Sequence, residues 1–325
     1  MKFIHCSFES LTLHYTLTAP PAFESIDELS QLSGIRNSAI AAFTSDSSLY
    51  YREFSIPKRN GGERKLHAPL PALKTIQNTI LKNALDRVVI SDACHSYAPN
   101  RSIISNAKAH AKSKSICRLD IADFFPSVKQ NYVMEIFHSI GFERNLSIVL
   151  SLICTLKDGL PQGASTSPSL SNISLIKFDE AMLKIATNEG LTYSRYADDI
   201  YLSGNYVSNG MISYSIQALQ SYGFAVNKKK TALMTGGRKI VTGLSVSSGS
   251  VRVPKGFKRK LRNDAFIASK INTVDDLLKI SNDPFYLDRI VGRLEFWKSV
   301  EPDNVRAIEL SLILKAKMIE LSIAT

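Results

Sequence analysis

The stretch TYSRYADDIYLS, residues 192–203, sets two adjacent carboxylates inside a run of aromatic, β-branched and apolar residues. Flanking residues of this kind are typical of strands, so the stretch predicts a β-hairpin whose tight turn holds Asp198 and Asp199. Because side chains alternate between the faces of a strand, the two acids should point in different directions. One would then be the main ligand of a metal ion and the other a supporting or outer ligand. Asp is also a common turn residue, so a solvated turn is the competing interpretation.

The composition of the chain favours a nucleic-acid partner. The 325 residues carry a net charge of +11, and 44% of them are hydrophobic. This length suffices for two or three lobes, and the excess of positive charge favours a polyanion. The cysteines, Cys6, Cys94, Cys117 and Cys154, form no C-x-x-C pair, which argues against structural zinc and a disulfide framework and indicates the reducing cytoplasm. We expect neither a signal peptide nor a membrane span.

A third carboxylate ends a second predicted strand. The segment SICRLDI, residues 115–121, is short and mostly apolar, and Asp120 closes it. An acid at the end of a buried strand is costly unless it is paired or bound to a metal. A ferredoxin-like order of elements would bring Asp120 beside Asp198. Converging carboxylates suit Mg²⁺, and two such ions can hold the attacking and leaving oxygens of a phosphoryl transfer.

A basic hairpin is predicted over residues 51–69, with its turn at the NGG of residues 60–62. It could close as a flap over a triphosphate, where cations would balance phosphate charge. It could equally be a solvated hairpin with lysine-rich edges. The basic residues around its turn are Lys58, Arg59, Arg64 and Lys65.

Helical spacing of apolar residues marks much of the remaining chain. A polar loop, LPQGASTSP at residues 160–168, leads into one of these helices and could present free N–H groups to anions or base edges, or simply cap the helix. A strand is expected over residues 239–246, paired with Arg252 and Val253. The helices are predicted over residues 70–89, 131–140, 145–156 and 169–187.

The motifs, taken in order, resemble those of the reverse transcriptases, and most closely the retron reverse transcriptases of bacteria. The resemblance covers about Tyr50 to Trp297. It implies an α+β fold, the right-hand polymerase with fingers, a ferredoxin-like palm and a helical thumb. The implied lobes are an N-terminal helical extension (1–49), fingers (50–115, with part of 128–160 packed on them), a palm (116–250) and an RNA-binding thumb (251–325).

The palm motifs carry most of the implied active site. The segment LDIADFF, residues 119–125, resembles motif A, with Asp120 as a metal ligand and Ile121 supplying a backbone carbonyl. Phe125 stands where the family keeps an aromatic gate against a ribose 2′-hydroxyl. Arg118 and Ala122 occupy variable positions of this motif and are expected to have no consequence.

The remaining polymerase motifs follow in the family's order. LPQG resembles motif B, with Gln162 near the nascent base pair, and YADD is motif C. GFAVNKKKT, residues 223–231, resembles motif D and makes Lys230 the candidate proton donor to pyrophosphate, although spacing does not choose among its three adjacent lysines. The fingers motifs imply that the incoming dNTP contacts Lys58, Arg64 and Lys65.

Two short strings favour the retron branch. NAKAH, residues 106–110, matches an element before motif A and implies nucleic-acid contacts by Asn106 and His110, although such a histidine is more often structural. VTG, residues 241–243, matches an element after motif D. A basic segment is expected to open the thumb and bind RNA phosphates in a salt-dependent manner. Its basic residues are Arg252, Lys255, Lys258, Arg259, Lys260 and Arg262.

The retron resemblance implies a specific biology. Such enzymes bind their own structured non-coding RNA, prime from a guanosine 2′-hydroxyl and copy part of that RNA into multicopy single-stranded DNA. Two Mg²⁺ ions, with Mn²⁺ as a substitute, and an effector protein that acts in anti-phage defence complete the implied set of partners. The alternatives are another bacterial reverse transcriptase, of the abortive-infection or diversity-generating type, and an RNA-binding scaffold for an effector. Three intact acids argue against a scaffold as the only role.

Overall fold

The computed structural model describes residues 15–58, 61–247, 249–273, 276, 278 and 280–323. Residues 1–14 of the predicted extension, and Arg59 and Asn60 of the predicted hairpin, lie outside this part of the chain. Two compact units are present. The first combines Met1–Ser102 with Ser115–Leu233, and the second combines Ile103–Lys114 with Met234–Thr325.

The chain combines runs of helices with antiparallel strand pairs, consistent with the α+β class. The helices are α1 (Ile26–Ser33), α2 (Asn37–Ser45), α3 (Pro71–Asn83), α4 (Ile103–Ala109), α5 (Phe124–Ser127), α6 (Gln130–Ser139), α7 (Arg144–Cys154), α8 (Ser167–Ile173), α9 (Ile176–Asn188), α10 (Asn209–Ser221), α11 (Lys255–Ser269), α12 (Tyr286–Val300) and α13 (Val305–Ile323). The strands are β1 (Tyr51–Pro57), β2 (Glu63–Pro69), β3 (Ser115–Asp120), β4 (Thr192–Tyr196), β5 (Asp199–Gly204), β6 (Ala232–Met234), β7 (Ile240–Val241) and β8 (Leu244–Ser245).

The sheet that carries the acids has the strand order β4-β5-β3-β6. Strand β3 runs antiparallel to β5, and β5 runs antiparallel to β4. Ile116, Cys117 and Leu119 on β3 are fully buried, because helices and neighbouring strands cover this strand. The predicted hairpin around the two acids is therefore present, and β3 lies beside it.

Two predicted helices of the first unit differ in the structure. The helix expected over residues 70–89 ends at Asn83, because Ala84 leaves the helical region at φ −133°, and a 3₁₀ turn follows at Leu85–Arg87. The helix expected over residues 169–187 is broken into α8 and α9. Leu175, with φ −108° and ψ 5°, forms the junction between them.

The second unit joins α4 to a small hairpin and to the helices α11, α12 and α13. The strand predicted over residues 239–246 is instead the hairpin β7–β8, turned at Thr242 and Gly243, both at positive φ. Its partner Arg252 is as predicted, since the backbones of Ser245 and Arg252 exchange two hydrogen bonds of 2.8 Å. Leu261, Leu294 and Leu314 lie buried on α11, α12 and α13. No helix among the described residues is both long and apolar enough to span a membrane.

Candidate active site

The antiparallel register of β3 and β5 brings the three predicted acids together. Asp120 lies directly opposite Asp199. The N–H of Ile121 donates to the carbonyl of Asp198 at 2.9 Å, which ties the end of β3 to the turn at Ala197–Asp198, hereafter the carboxylate turn. Asp120 is only 2% exposed. Three carboxylates therefore share one end of the sheet, where like charges would repel without cations.

Lys230 supplies the first of these cations. Its Nζ donates to Oδ1 and Oδ2 of Asp120 at 3.0 and 2.9 Å. The segment that carries it is held by the N–H of Asn227, which donates to the carbonyl of Asp120 at 2.8 Å. Among the three adjacent lysines, Lys230 is thus the one that the structure brings to the acids.

Arg118 supplies the second cation, contrary to the expectation that this position has no consequence. Its Nε and Nη2 donate to Oδ1 of Asp199 at 2.9 and 2.7 Å, and Nη2 lies 3.8 Å from Oδ2 of Asp120. Residues two apart on a strand share a face, so Arg118 necessarily lies beside Asp120. Asp199, one of the two acids of the predicted turn, is therefore already paired with a cation.

Burial and mutual repulsion raise the pKa values of Asp198 and Asp199. Burial raises the pKa of Asp199 to about 6; the carboxylates of Asp198 and Asp120 add to this rise, and Arg118 opposes it. Burial, joined by the Asp120 carboxylate, also raises the pKa of Asp198 against the opposing effect of Lys230 and Arg118. Bringing further positive charge to this site would favour the ionised forms.

The donor set fits a hard divalent cation. Carboxylate and carbonyl oxygens are the ligands that Mg²⁺ prefers, and the acids here are partly desolvated. Within the described part of the chain, no three His, Cys, Asp or Glu side chains stand together as a ready ion-binding cluster. Lys230 and Arg118 bind oxygens of Asp120 and Asp199 instead. A metal ion would compete with these cations for the same oxygens.

A buried ion pair supports the carboxylate turn from behind, and the sequence patterns did not reveal it. Arg195 donates from Nε and Nη2 to the carboxylate of Asp179 at 2.9 and 2.7 Å, and both side chains are fully buried. The hydroxyl of Tyr193 donates to the same carboxylate at 2.6 Å. Asp179 interrupts the apolar stripe of α9, and this is the signal that could have indicated an inward partner.

Hydrogen bonds to both the N–H and the carbonyl of Ala197 hold the carboxylate turn in place. Ala197 has φ 53°, a left-handed conformation that is uncommon outside glycine. Its N–H donates to Oγ of Ser96 at 2.7 Å, and its carbonyl accepts from Nη1 of Arg195 at 3.2 Å. Asn172 accepts from the same Nη1 at 3.1 Å. The break between α8 and α9 lets side chains of both helices reach Arg195.

The motif B loop packs against the backbone of the basic hairpin. The carbonyl of Gln162 accepts from the N–H of His67 at 2.8 Å. Gly163 has φ 126°, and a Cβ there would lie 2.7 Å from the carbonyl oxygen of His67, so a side chain does not fit. The carbonyl of Phe125 accepts from the N–H of Leu160 at 3.2 Å. Gln162 and Phe125 are thereby held in the same unit as the three acids.

The basic hairpin presents its cations on two faces. Adjacent residues of a strand point to opposite sides, so Arg64 and Lys65 cannot both face one nucleotide. Lys65 pairs with Glu53 at 2.8 Å. Arg64 lies on the opposite face of β2 from Lys65 and is exposed. Lys58 is exposed beside the turn.

The two retron-type strings meet in the second unit. The hydroxyl of Thr242, within VTG, donates to the carbonyl of Ile103 on α4 at 2.9 Å, and Nζ of Lys239 donates to the carbonyl of Ser113 at 2.6 Å. Asn106 and His110 are fully buried. The predicted contacts of these two residues with nucleic acid are not supported, because neither side chain is accessible. Their position indicates a structural role in joining α4 to the β7–β8 hairpin.

The basic segment forms the start of α11, and most of its cations are exposed. Lys258 is the exception and corrects the predicted set. Its Nζ pairs with Glu301 at 2.6 Å and lies 5.3 Å from the ring centroid of Trp297. A cavity of about 310 Å³ runs along this end of the helix. The exposed cations are Arg252, Lys255, Arg259, Lys260 and Arg262.

Comparison with known proteins agrees with this geometry. The family model described as reverse transcriptase (RNA-dependent DNA polymerase) matches residues 56–266. Retron Ec86 reverse transcriptase of Escherichia coli is 32% identical over 248 residues, which cover 74% of this chain and 77% of that protein. Retron Se72 reverse transcriptase of Salmonella heidelberg is 27% identical, with 90% of this chain and 79% of that protein covered.

Further likenesses are also found. Retron Mx162 reverse transcriptase of Myxococcus xanthus is 31% identical, with 67% of this chain and 52% of that protein covered. Among solved structures, apo telomerase from Candida tropicalis, truncated from its C-terminal domain, has a TM-score of 0.46 and 16% identity, with 69% of this chain and 59% of that chain covered. The family match carries the assignment: the chain belongs to the reverse transcriptases, within them to the retron reverse transcriptases, and is an RNA-directed DNA polymerase.

Proposed function

We propose that this retron reverse transcriptase copies part of a cognate structured non-coding RNA into multicopy single-stranded DNA, starting from the 2′-hydroxyl of a guanosine in that RNA. The observation that carries the proposal is the pairing of Asp120, Asp198 and Asp199 at one sheet end, with Lys230 and Arg118 as exchangeable cations. The priming step and the DNA product are inferred from the retron relatives.

The acids would form the metal-binding part of the centre. Asp120 and Asp198 would be the direct ligands, the carbonyl of Ile121 would assist, and Asp199 would remain the outer ligand because Arg118 pairs with it. Bound there, two Mg²⁺ ions, or Mn²⁺ in their place, would acidify the attacking hydroxyl and neutralise the leaving pyrophosphate. The buried support at Ala197 would keep Asp198 in place while the substrates change.

Lys230 would act before the substrates bind and again when pyrophosphate leaves. Before the substrates bind, its ammonium neutralises Asp120. Its side chain is 52% exposed, so it can leave the carboxylate without opening the core. A released ammonium next to the site could give its proton to the leaving pyrophosphate, as a general acid does.

The incoming nucleotide would lie between the carboxylate turn and the hairpin. Arg64 and Lys58 are both exposed on the hairpin, so both could bind phosphate charge. Lys65 would contribute only by leaving Glu53. Phe125 would exclude a ribose 2′-hydroxyl, and Gln162 would lie near the nascent base pair.

The exposed cations of α11 would bind the phosphates of the RNA. Arginine and lysine contacts of this kind give binding that weakens with salt and depends little on sequence. Recognition of the cognate RNA would then rest on the shape of its helices. We further propose that the enzyme and its RNA–DNA product associate with an effector protein in anti-phage defence, as the retron relationship suggests.

The variant Asp198→Asn tests the proposal. It is expected to lower DNA synthesis by more than about 100-fold, because it removes a direct metal ligand, while leaving RNA binding intact. Wild type and variant would be purified from cells that carry the RNA gene, and the bound RNA and DNA would be sequenced. Branched DNA should accompany the wild type alone, and RNA should accompany both.

Each part of the proposal can fail separately in this experiment. Equal amounts of branched DNA with both proteins would overturn the metal assignment. DNA synthesis by the wild type without a 2′-linked guanosine would overturn the priming step and favour another type of bacterial reverse transcriptase. RNA without DNA on the wild type would favour the scaffold alternative.

A further inference from the structure

Tyr97 combines a strained backbone with an exposed aromatic side chain. Its φ is 51°, and its side chain is 54% exposed. A left-handed conformation costs an L-residue about 1–2 kcal/mol. Residues held in such conformations cluster at functional sites and persist only where the surrounding structure imposes them.

The preceding residue imposes this conformation. Ser96 is fully buried. Its hydroxyl accepts from the N–H of Ala197 at 2.7 Å, and its carbonyl accepts from Nδ2 of Asn172 at 2.8 Å. The N–H of His95 donates to the carbonyl of Arg195 at 2.8 Å, so the chain runs along β4 up to this point. Tyr97 is therefore fastened next to the carboxylate turn while its ring stays accessible.

The electrostatic surroundings of the phenol agree with a position at the candidate site. Burial raises the pKa of Tyr97; Asp198 and Tyr196 add to the rise, and Arg64 opposes it. Asp198 belongs to the carboxylate turn, and Arg64 belongs to the hairpin. Because Ser96 accepts from the N–H of Ala197, the exposed ring of Tyr97 lies next to the carboxylate turn that would bind metal.

We propose that Tyr97 contacts the incoming nucleotide, with its ring packed against the sugar and base beside the carboxylate turn. This inference rests on the proposed function, which gives Asp198 and Arg64 their partners. Aromatic rings suit this position because every base offers a flat face, so the contact does not depend on sequence. The strain at residue 97 would then be kept because it aims the ring at the nucleotide.

Steady-state primer extension on an RNA template tests the contact. Tyr97→Ala is expected to raise the KM for dNTP by about tenfold, since one base–aromatic contact is lost, and to change kcat much less. Tyr97→Phe keeps the ring and should raise KM by no more than about threefold. Affinity for the template–primer duplex, measured without dNTP, should remain that of the wild type in both variants.

Tyr97→Gly separates a substrate contact from a structural role. Glycine adopts φ 51° without strain, so this variant should be at least as stable to heat as the wild type, while its KM rises as in Tyr97→Ala. A structural residue would behave in the opposite way, with lower stability and an unchanged KM. Asn100→Gly is the matched control, because Asn100 is also exposed and has φ 60°, and its KM should not change.

The outcomes distinguish this inference from the function on which it rests. A wild-type KM in Tyr97→Ala, with normal kcat, would overturn the nucleotide contact. An equal rise of KM in Asn100→Gly would also overturn it, because the effect would then belong to the loop. If the wild type itself extends no primer, the proposed function fails before the variants are compared.

Discussion

Two sets of ion pairs lie around the carboxylate turn, and they differ in their access to solvent. Arg195 and Asp179 are both 0% exposed. On the other side of the turn, Arg118 is 35% and Asp199 20% exposed. A fully buried ion pair cannot change partners without opening the core, whereas a partly exposed ion pair can. The molecule thus fixes the position of the turn with one set and keeps exchangeable cations where substrate ions would arrive.

Breaking the buried Arg195–Asp179 pair should have the largest effect, a loss of stability. Arg195→Met would leave the Asp179 carboxylate buried without its cation, and we expect a loss of about 3–5 kcal/mol in the free energy of unfolding. Urea titration followed by circular dichroism measures it. The double variant Arg195→Met/Asp179→Leu should recover part of the loss, because no charge remains buried. A single variant as stable as the wild type would contradict the structural role of the pair.

Removing Lys230, the more exposed of the two cations, should lower the rate of DNA synthesis and raise the affinity for metal. Lys230→Met is expected to slow DNA synthesis by about 100-fold, since a general acid is lost, yet to bind Mn²⁺ more tightly because no ammonium competes for Asp120. Single-turnover kinetics and electron paramagnetic resonance of Mn²⁺ supply the two readouts. Lys229→Met, one residue away, is the control. Unchanged Mn²⁺ affinity in Lys230→Met would show that this pair does not exchange with metal.

Removing Arg118 should produce the smallest effect, a shift in the pH dependence of Mn²⁺ binding. Arg118 lowers the pKa of Asp199, which burial has raised to about 6, so Arg118→Gln should raise it further, by about one unit. Metal binding needs the ionised acid and is lost as pH falls through this pKa. The midpoint of Mn²⁺ binding against pH should therefore move upward.

The same variant has a matched control. Lys177→Gln removes a cation that pairs with Glu180 on α9, and it should leave the midpoint in place. At pH 8, where Asp199 is ionised in the wild type, Arg118→Gln should bind Mn²⁺ at least as tightly, because a nearby positive charge is gone. A midpoint that falls, or stays with the wild type, would contradict the pairing of Arg118 with Asp199.

The sequence predicted what depends on local pattern and on element order. The aromatic and β-branched residues around Asp198 specify two strands and a turn, and the order of elements placed Asp120 beside them. The alternation of side chains along a strand also predicts that Arg64 and Lys65 lie on opposite faces, because this pattern does not depend on the residues that pack against the strand. These features follow from periodicities of the chain itself.

The remaining features depend on register and on distant partners. Arg118 pairs with Asp199 only because Asp120 stands opposite Asp199, and a shift of one residue would turn Arg118 to the other face. Arg195 finds Asp179 on a helix whose break at Leu175 was not predicted. The burial of Asn106 and His110 depends on a hairpin more than a hundred positions away, so a short motif alone could not distinguish a surface contact from a packed interior.

The hydrogen bonds of Asp120 also have a consequence for the order in which the protein is made. Lys230, which binds its carboxylate, is 110 positions later in the chain. At about 5–20 residues per second, a ribosome needs on the order of ten seconds to cover that interval. All three acids leave the ribosome before Asn227 and Lys230 can join Asp120. Completion of the polymerase centre is therefore a late event of synthesis, and a chain that stops before residue 227 carries its acids without a finished centre.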